Sequence, residues 1–330
     1  MFNGNLISMS ETIMENDGFR ISYEEACRLA ALPEGDTIDL IMCAGKIRHR
    51  YKGNRVVACS ITNAKSGLCT EDCAFCAQSA HYETGIEPHP LLSAQKILED
   101  ARHLYEGGAT EFSMVTSGYA LTDQEIEMIC RAAGMIKEKT DLMLCSSLGI
   151  LTEARAKQLK ESGVSAYHHN LETARSYFDK ICTTHDYEDD VQTVRVAKAA
   201  GLKVCCGGIL GLGETWAQRV ELAVTLRDLD VDSIPINFLN PIPGTRMAER
   251  PLLSPMEALK CIALFRFINP RKDITICGGR EITLRDLQSW IFAAGANGLL
   301  VGNYLTTEGR DIKSDMDMIR DLGLVVEKGA

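Results

Sequence analysis

No lysine- or arginine-rich block occurs in the 330 residues, and the formal charge is −10. A protein that tracks nucleic-acid phosphates carries a basic face, so this balance argues against nucleic acid as the main partner. No apolar run approaches the roughly 20 residues of a membrane span. The segment from Met1 to Arg20 is polar and acidic, without the apolar stretch of a signal peptide. Both features lead us to expect a cytoplasmic protein with no membrane partner. Prolines are few, and no low-complexity segment or long linker divides the chain. At 45% hydrophobic residues it can bury one large α/β core or two smaller ones, and composition alone leaves both open. Thirteen cysteines, an odd number with no export signal, fit reduced thiols better than a disulfide framework. Several are therefore free to be ligands, and the rest fit as small core residues.

The first 50 residues read as helical. Ser22 and Glu25 have capping-box spacing, and Ile38, Ile41, Ala44 and Ile47 fall on one stripe of a second helix. Short apolar, β-branched runs then recur at 56–63, 111–117, 142–148, 165–171, 203–209, 233–239, 274–278 and 299–305. Amphipathic stretches with start and stop signals separate most of them: Ser93 opens one that stops at Gly107-Gly108, and Ser254-Pro255 opens another. Eight alternating units predict an α/β fold of the (β/α)8 TIM-barrel type. We expect a helical extension over 1–52, the barrel over 53–305 and a closing segment over 306–330. An open doubly wound sheet is the alternative, but no G-x-G-x-x-G follows the first strand.

Three cysteines share one short loop, Cys69-Thr70-Glu71-Asp72-Cys73-Ala74-Phe75-Cys76. Four thiolates would close an iron–sulfur cubane, whereas three leave one iron open to a small molecule. Zinc is the alternative, with Cys59 or His81 as a fourth ligand, but a second close cysteine pair is lacking. The C-x3-C-x2-C spacing, with Phe75 before the last cysteine, resembles the signature of the radical S-adenosylmethionine (SAM) superfamily. That resemblance implies a [4Fe-4S] cluster on Cys69, Cys73 and Cys76 whose open iron binds SAM.

Further motifs narrow the resemblance to the biotin synthase family, over residues 20–325. They are the string from Tyr167 through Asn170 and Glu172 to Thr173, the run from Val204 to Glu214, Ile234 to Leu239, Gly278-Gly279-Arg280-Glu281, and Leu305-Thr306-Thr307. Gly207-x-Ile209-x-Gly211-x-x-Glu214 is similar to the superfamily's adenine-contacting segment, which brings in Gly208, Ile209 and Gly211. Alone, such a run is usually a plain strand-to-helix turn. Asn170 and Glu172 alternate on the fourth strand and by resemblance reach the SAM ribose, Glu172 standing where the family has Asp. Asn237 matches a residue that contacts the ureido ring of dethiobiotin; its partner, commonly Asn, is His168, which can still donate to a ureido carbonyl. Thr306 and Thr307 would sit near the substrate carboxylate.

The family also holds an auxiliary cluster, a [2Fe-2S] form, on three cysteines from successive strands and an arginine. Cys145, Cys205 and Arg280 match, but the remaining cysteine position is Ser113. Cys277 is the better replacement and Cys206 the poorer, since neighbouring strand residues point to opposite faces. The expectation is a cluster on Cys145, Cys205 and Cys277, completed by Cys206 or Arg280, of the two-iron or a larger type. The other cysteines, Cys59 among them, receive no role. The resemblance implies SAM cleavage to a 5′-deoxyadenosyl radical, hydrogen abstraction from dethiobiotin and capture of sulfide from the auxiliary cluster. It further implies a homodimer and a flavodoxin or ferredoxin electron donor. Another radical SAM enzyme, such as a maturase or mutase, and a non-catalytic iron–sulfur scaffold are the rivals; the scaffold leaves the adenine and ribose contacts idle.

Overall fold

The computed structural model describes residues 3–326, so the last four residues of the expected closing segment and the first two of the extension lie outside the described residues. Among the described residues, ten strands form in chain order: β1 (Arg55–Lys65), β2 (Glu111–Thr116), β3 (Met143–Ser147), β4 (Ala166–His168), β5 (Lys203–Cys205), β6 (Gly208–Leu210), β7 (Ser233–Phe238), β8 (Asp273–Ile276), β9 (Gly298–Leu300) and β10 (Val325–Val326). All pairings are parallel. β1 pairs with β2 on one side and β9 on the other, which closes the barrel. β5 and β6 together serve as the fifth stave, so the eight expected units are present.

The break between β5 and β6 has a steric cause. A Cβ on Gly207 would lie 1.9 Å from the carbonyl oxygen of Pro235, so the chain approaches β7 there as only glycine can. β10 pairs with the start of β1, outside the closed ring. Along β1, Val56, Ala58, Ser60, Thr62 and Ala64 are buried against the helical layer, and the alternating residues between them face the barrel interior. Helices start where their caps say. Ser93 accepts from Lys96 N–H, Thr122 and Glu125 make a capping box, and Ser254 caps a helix with Pro255 at its first turn. The N-terminal helices pack on the outside: Thr37–Lys52 lies against Pro255–Ile268, and Tyr23–Ala30 against Trp216–Asp228. Among the described residues, no helix is long and apolar enough to cross a membrane.

Candidate active site

The loop after β1 closes on itself. Cys69 N–H donates to Gln78 O, Ala80 N–H to Cys69 O, and Cys76 N–H to Cys73 O. Gly67 and Leu68 turn the chain in left-handed conformations, φ 74° and 53°, a strain that a leucine accepts only where surroundings fix it. Ser117 Oγ donates to Gly67 O at 2.7 Å, and Ser79 Oγ to Glu71 O at 2.6 Å. The three cysteines therefore sit on a pinned loop at the barrel mouth, and Cys76 lines the central cavity. Burial pushes the Cys76 thiol up to about 11, although the N–H groups of Gln78 and Ser79 oppose the shift. Those N–H groups would stabilise a metal-bound thiolate.

A second loop backs the first. Ala74 N–H donates to Ile181 O, and Thr183 donates twice to Asp72, which holds that carboxyl at about 2 against the opposing effect of burial. Cys182 Sγ lies 3.8 Å from Cys73 Sγ. His185 Nδ1 is 3.3 Å from Cys182 Sγ and 2.7 Å from Glu71 Oε2, and its Nε2 faces Asp190. Although burial opposes it, Asp190, Cys182 and Glu71 raise His185 to about 11, so it is an imidazolium at neutral pH. Glu71, Cys182 and His185 lie close enough together to hold an ion, but their hydrogen bonds already satisfy one another beside Cys73. They act as a supporting shell for that ligand. Sequence reasoning passed over this group because only the fold brings residues 181–185 back to the cysteine loop.

Below the mouth, a cavity of about 380 Å³ runs into the barrel. Phe75, Ile209 and Leu239 supply apolar wall, and Asn170 and Glu172 supply polar groups. The last two do not alternate on a strand. β4 ends at His168, and Glu172 takes a left-handed conformation, φ 59°, bridging to Gly208. Both still face the cavity. Glu172 is pushed up to about 8, chiefly by burial and then by Asp190. Of the glycine-rich run, Ile209 lines the cavity while Gly208 and Gly211 lie behind it. Gly211 and Gly213 N–H both donate to the carboxylate of Glu214, which Arg219 also holds at 2.7 Å. Glu214 thus shapes the loop from within.

His168, Asn237, Thr306 and Thr307 all line the cavity. Burial lowers the His168 pKa, so the ring is neutral. Its Nε2 is 2.8 Å from Asn170 Oδ1, which also accepts from Gly207 N–H. Nε2 must therefore donate, which leaves Nδ1 an acceptor. This corrects the expected donor role: His168 can accept from an N–H rather than donate to a carbonyl. Asn237 accepts from Gly278 N–H and donates to Gly208 O, leaving one amide hydrogen for a ligand.

Deeper still, Cys145, Cys205 and Cys277 face one another, and Cys59 of β1 joins them. Cys59 feels the charges of the other three directly. Burial pushes Cys145 and Cys277 up to about 12, and Cys59 and Cys205 well above their ordinary value. Four buried thiols, each raised by burial and by Glu111, form a donor set that a polycationic iron–sulfur core would neutralise. Of the other candidates, Arg280 is near enough for its charge to lower the Cys277 thiol, but its hydrogen bonds go to other partners. Cys206 points the opposite way from Cys205 and is fully buried in the outer core. Arg280 has both Nη atoms on Asp315, at 3.1 and 2.7 Å, with both side chains fully buried. Ser113 lines the cavity beside Cys145. Cys59 was legible in principle, since it has the inward parity of the first strand, but parity acquires meaning only once the register with β2 and β9 is known.

The comparisons with known proteins agree with this geometry. A family model for the Radical SAM superfamily matches residues 65–226, and one for the Biotin and Thiamin Synthesis associated domain matches 235–325. A biotin synthase from Syntrophus aciditrophicus is 60% identical over 94% of this chain and 96% of its own length. One from Geobacter metallireducens is 55% identical over 94% of each. Among solved structures, methylornithine synthase superposes with TM-score 0.83 at 22% identity, over 97% of this chain and 98% of that one. A maturase of the [FeFe]-hydrogenase does so with TM-score 0.83 at 17% identity, over 99% and 76%. These last two show the fold alone. A closed parallel barrel, a pinned three-cysteine loop at its mouth and relatives sharing more than half its residues make this chain a member of the biotin synthase family of radical SAM enzymes.

Proposed function

We infer that the protein inserts sulfur into dethiobiotin to form biotin, using SAM and a [4Fe-4S] cluster on Cys69, Cys73 and Cys76. The observation that carries the reading is one cavity joining two thiol sets at different depths, with polar groups between them. Bound there, the cluster and SAM supply radical chemistry able to remove hydrogen from an unactivated carbon, which no side-chain base can do. The chain's own part is placement. Phe75, Ile209 and Leu239 offer apolar surface to a nucleoside, with Gly208 and Gly211 shaping the backbone behind them, and Asn170 and Glu172 offer hydrogen bonds to its ribose. His168 Nδ1 and the remaining Asn237 amide hydrogen form an acceptor–donor pair for a ureido ring, whose N–H and C=O are complementary to them. Thr306 and Thr307 suit a carboxylate. The barrel walls keep water from the reacting carbon.

For the auxiliary site, the reading is a cluster on Cys59, Cys145, Cys205 and Cys277. Four thiols accommodate a four-iron form as readily as a two-iron one, and Asp315 already holds both Nη atoms of Arg280. By family resemblance we take flavodoxin or ferredoxin as the electron donor, a homodimer as the assembly, the cytoplasm as the location, and 1–52, 53–305 and 306–330 as the domain divisions. The test is anaerobic incubation of iron- and sulfide-reconstituted protein with SAM, dethiobiotin and a strong reductant, reading products by mass spectrometry. Biotin with 5′-deoxyadenosine is expected. Deoxyadenosine without biotin would move the substrate assignment elsewhere.

A further inference from the structure

The turn that carries Thr306 and Thr307 has space on both sides. In front lies the substrate cavity, which Tyr304, Leu305, Thr306 and Thr307 line. Behind it lies a second cavity of about 460 Å³, whose lining includes Asn63, Asn303, Tyr304, Gly309 and Arg310. Close packing ordinarily fixes a segment in a protein interior, and one flanked by two cavities has less of it. The position of this turn therefore depends on hydrogen bonds. Tyr304 N–H donates to Thr307 O at 3.0 Å and Gly309 N–H to Asn303 Oδ1 at 3.2 Å, so the segment folds back on itself. Those bonds give the turn a shape without attaching it to the barrel.

Two side chains tie it there. Asn63 has the inward parity of β1, and its Nδ2 donates to Leu305 O at 2.9 Å and to Ser66 Oγ at 3.0 Å. Leu305 O can only accept, which fixes the orientation of the amide. Asn63 Oδ1 is buried without a partner, so the two donated bonds are what this amide supplies. Ser66 stands three residues before Cys69, and one nitrogen thus links the cysteine loop to the turn. From the other side, Glu281 accepts from Tyr304 OH at 2.8 and 2.9 Å and from Arg310 N–H at 3.2 Å, gripping the chain before and after the two threonines. Among the described residues, neither Thr306 nor Thr307 uses its hydroxyl on a protein partner, which leaves both for a ligand.

We propose that Asn63 and Glu281 are positioning residues that hold this turn where Thr306 and Thr307 meet the carboxylate of the substrate. The inference rests on the dethiobiotin reading above. Calorimetry on cluster-loaded, SAM-saturated protein compares dethiobiotin with an analogue of equal chain length that ends in methyl instead of carboxylate. Asn63→Leu and Glu281→Met remove the tethers at nearly constant volume, and Glu281→Gln keeps one acceptor oxygen. The first two are each expected to bind dethiobiotin roughly tenfold more weakly, the scale of one misplaced hydrogen bond to a charged group, and Glu281→Gln to recover part of that loss. All three should bind the methyl analogue as the wild type does, which also shows that the remaining site has folded. Unchanged dethiobiotin affinity in both tether-free variants, or an equal loss for the two ligands, would overturn the positioning role. A wild-type protein that binds neither ligand would overturn the substrate reading itself, a distinguishable failure.

Discussion

Replacing Arg280 with methionine separates two roles that sequence adjacency to Cys277 leaves entangled. If the guanidinium is a structural partner of Asp315, its removal leaves a carboxylate with no exposed surface and one remaining cation, Arg310 at 3.2 Å. Breaking a buried pair by removing one partner costs roughly 3–5 kcal/mol, and the surviving Arg310 contact sets the expectation at about 3 kcal/mol. At about 2 °C per kcal/mol for a chain of this size, the melting temperature should fall by about 6 °C. Burial already raises the Asp315 carboxyl above its ordinary value despite Arg280. Without Arg280 it should rise further, so the deficit should shrink as pH falls and the acid is protonated. The assay is thermal unfolding by circular dichroism on cluster-loaded protein, with iron and sulfide counted on the same sample. Lower stability at unchanged iron content is expected. Unchanged stability with loss of auxiliary iron would refute the structural role and make Arg280 a ligand.

Replacing Cys59 or Cys277 with alanine should reduce bound iron while the radical cluster's spectrum persists; full iron retention in either variant would remove that cysteine from the auxiliary set. A Cβ on Gly208 would lie 2.5 Å from the Glu172 carbonyl oxygen. Gly208→Ala should therefore push the Glu172 segment away and weaken SAM binding by roughly tenfold or more, a 1.4 kcal/mol effect, read by calorimetry on cluster-loaded protein.

The barrel was legible because each stave carries its own signal, a short β-branched run between capped helices, and needs no distant partner to be seen. Side-chain destinations were less legible wherever they depend on partners remote in sequence. Cys206 could be set aside from strand parity alone. Cys59 could not be included, because its strand partners come from β2 and β9 and the thiols it faces, Cys145, Cys205 and Cys277, are all remote in sequence. Arg280 looked available until the helix carrying Asp315 folded over it. Glu172 was placed on a strand by its apolar neighbours, yet the chain turns left-handed there to meet Gly208, a local conformation that glutamate propensity does not announce.

The Glu214 carboxylate fills the space that the Gly211 and Gly213 N–H groups would otherwise offer. In nucleotide-binding loops, similarly exposed glycine N–H groups cradle phosphate oxygens. This chain keeps the flexible loop but satisfies it internally with a carboxylate that Arg219 also holds, so a nucleoside triphosphate meets donors that are already occupied. An uncharged adenosine end meets no such obstacle. One internal acid thus biases the mouth toward phosphate-free nucleosides in a cell where ATP is an abundant competitor.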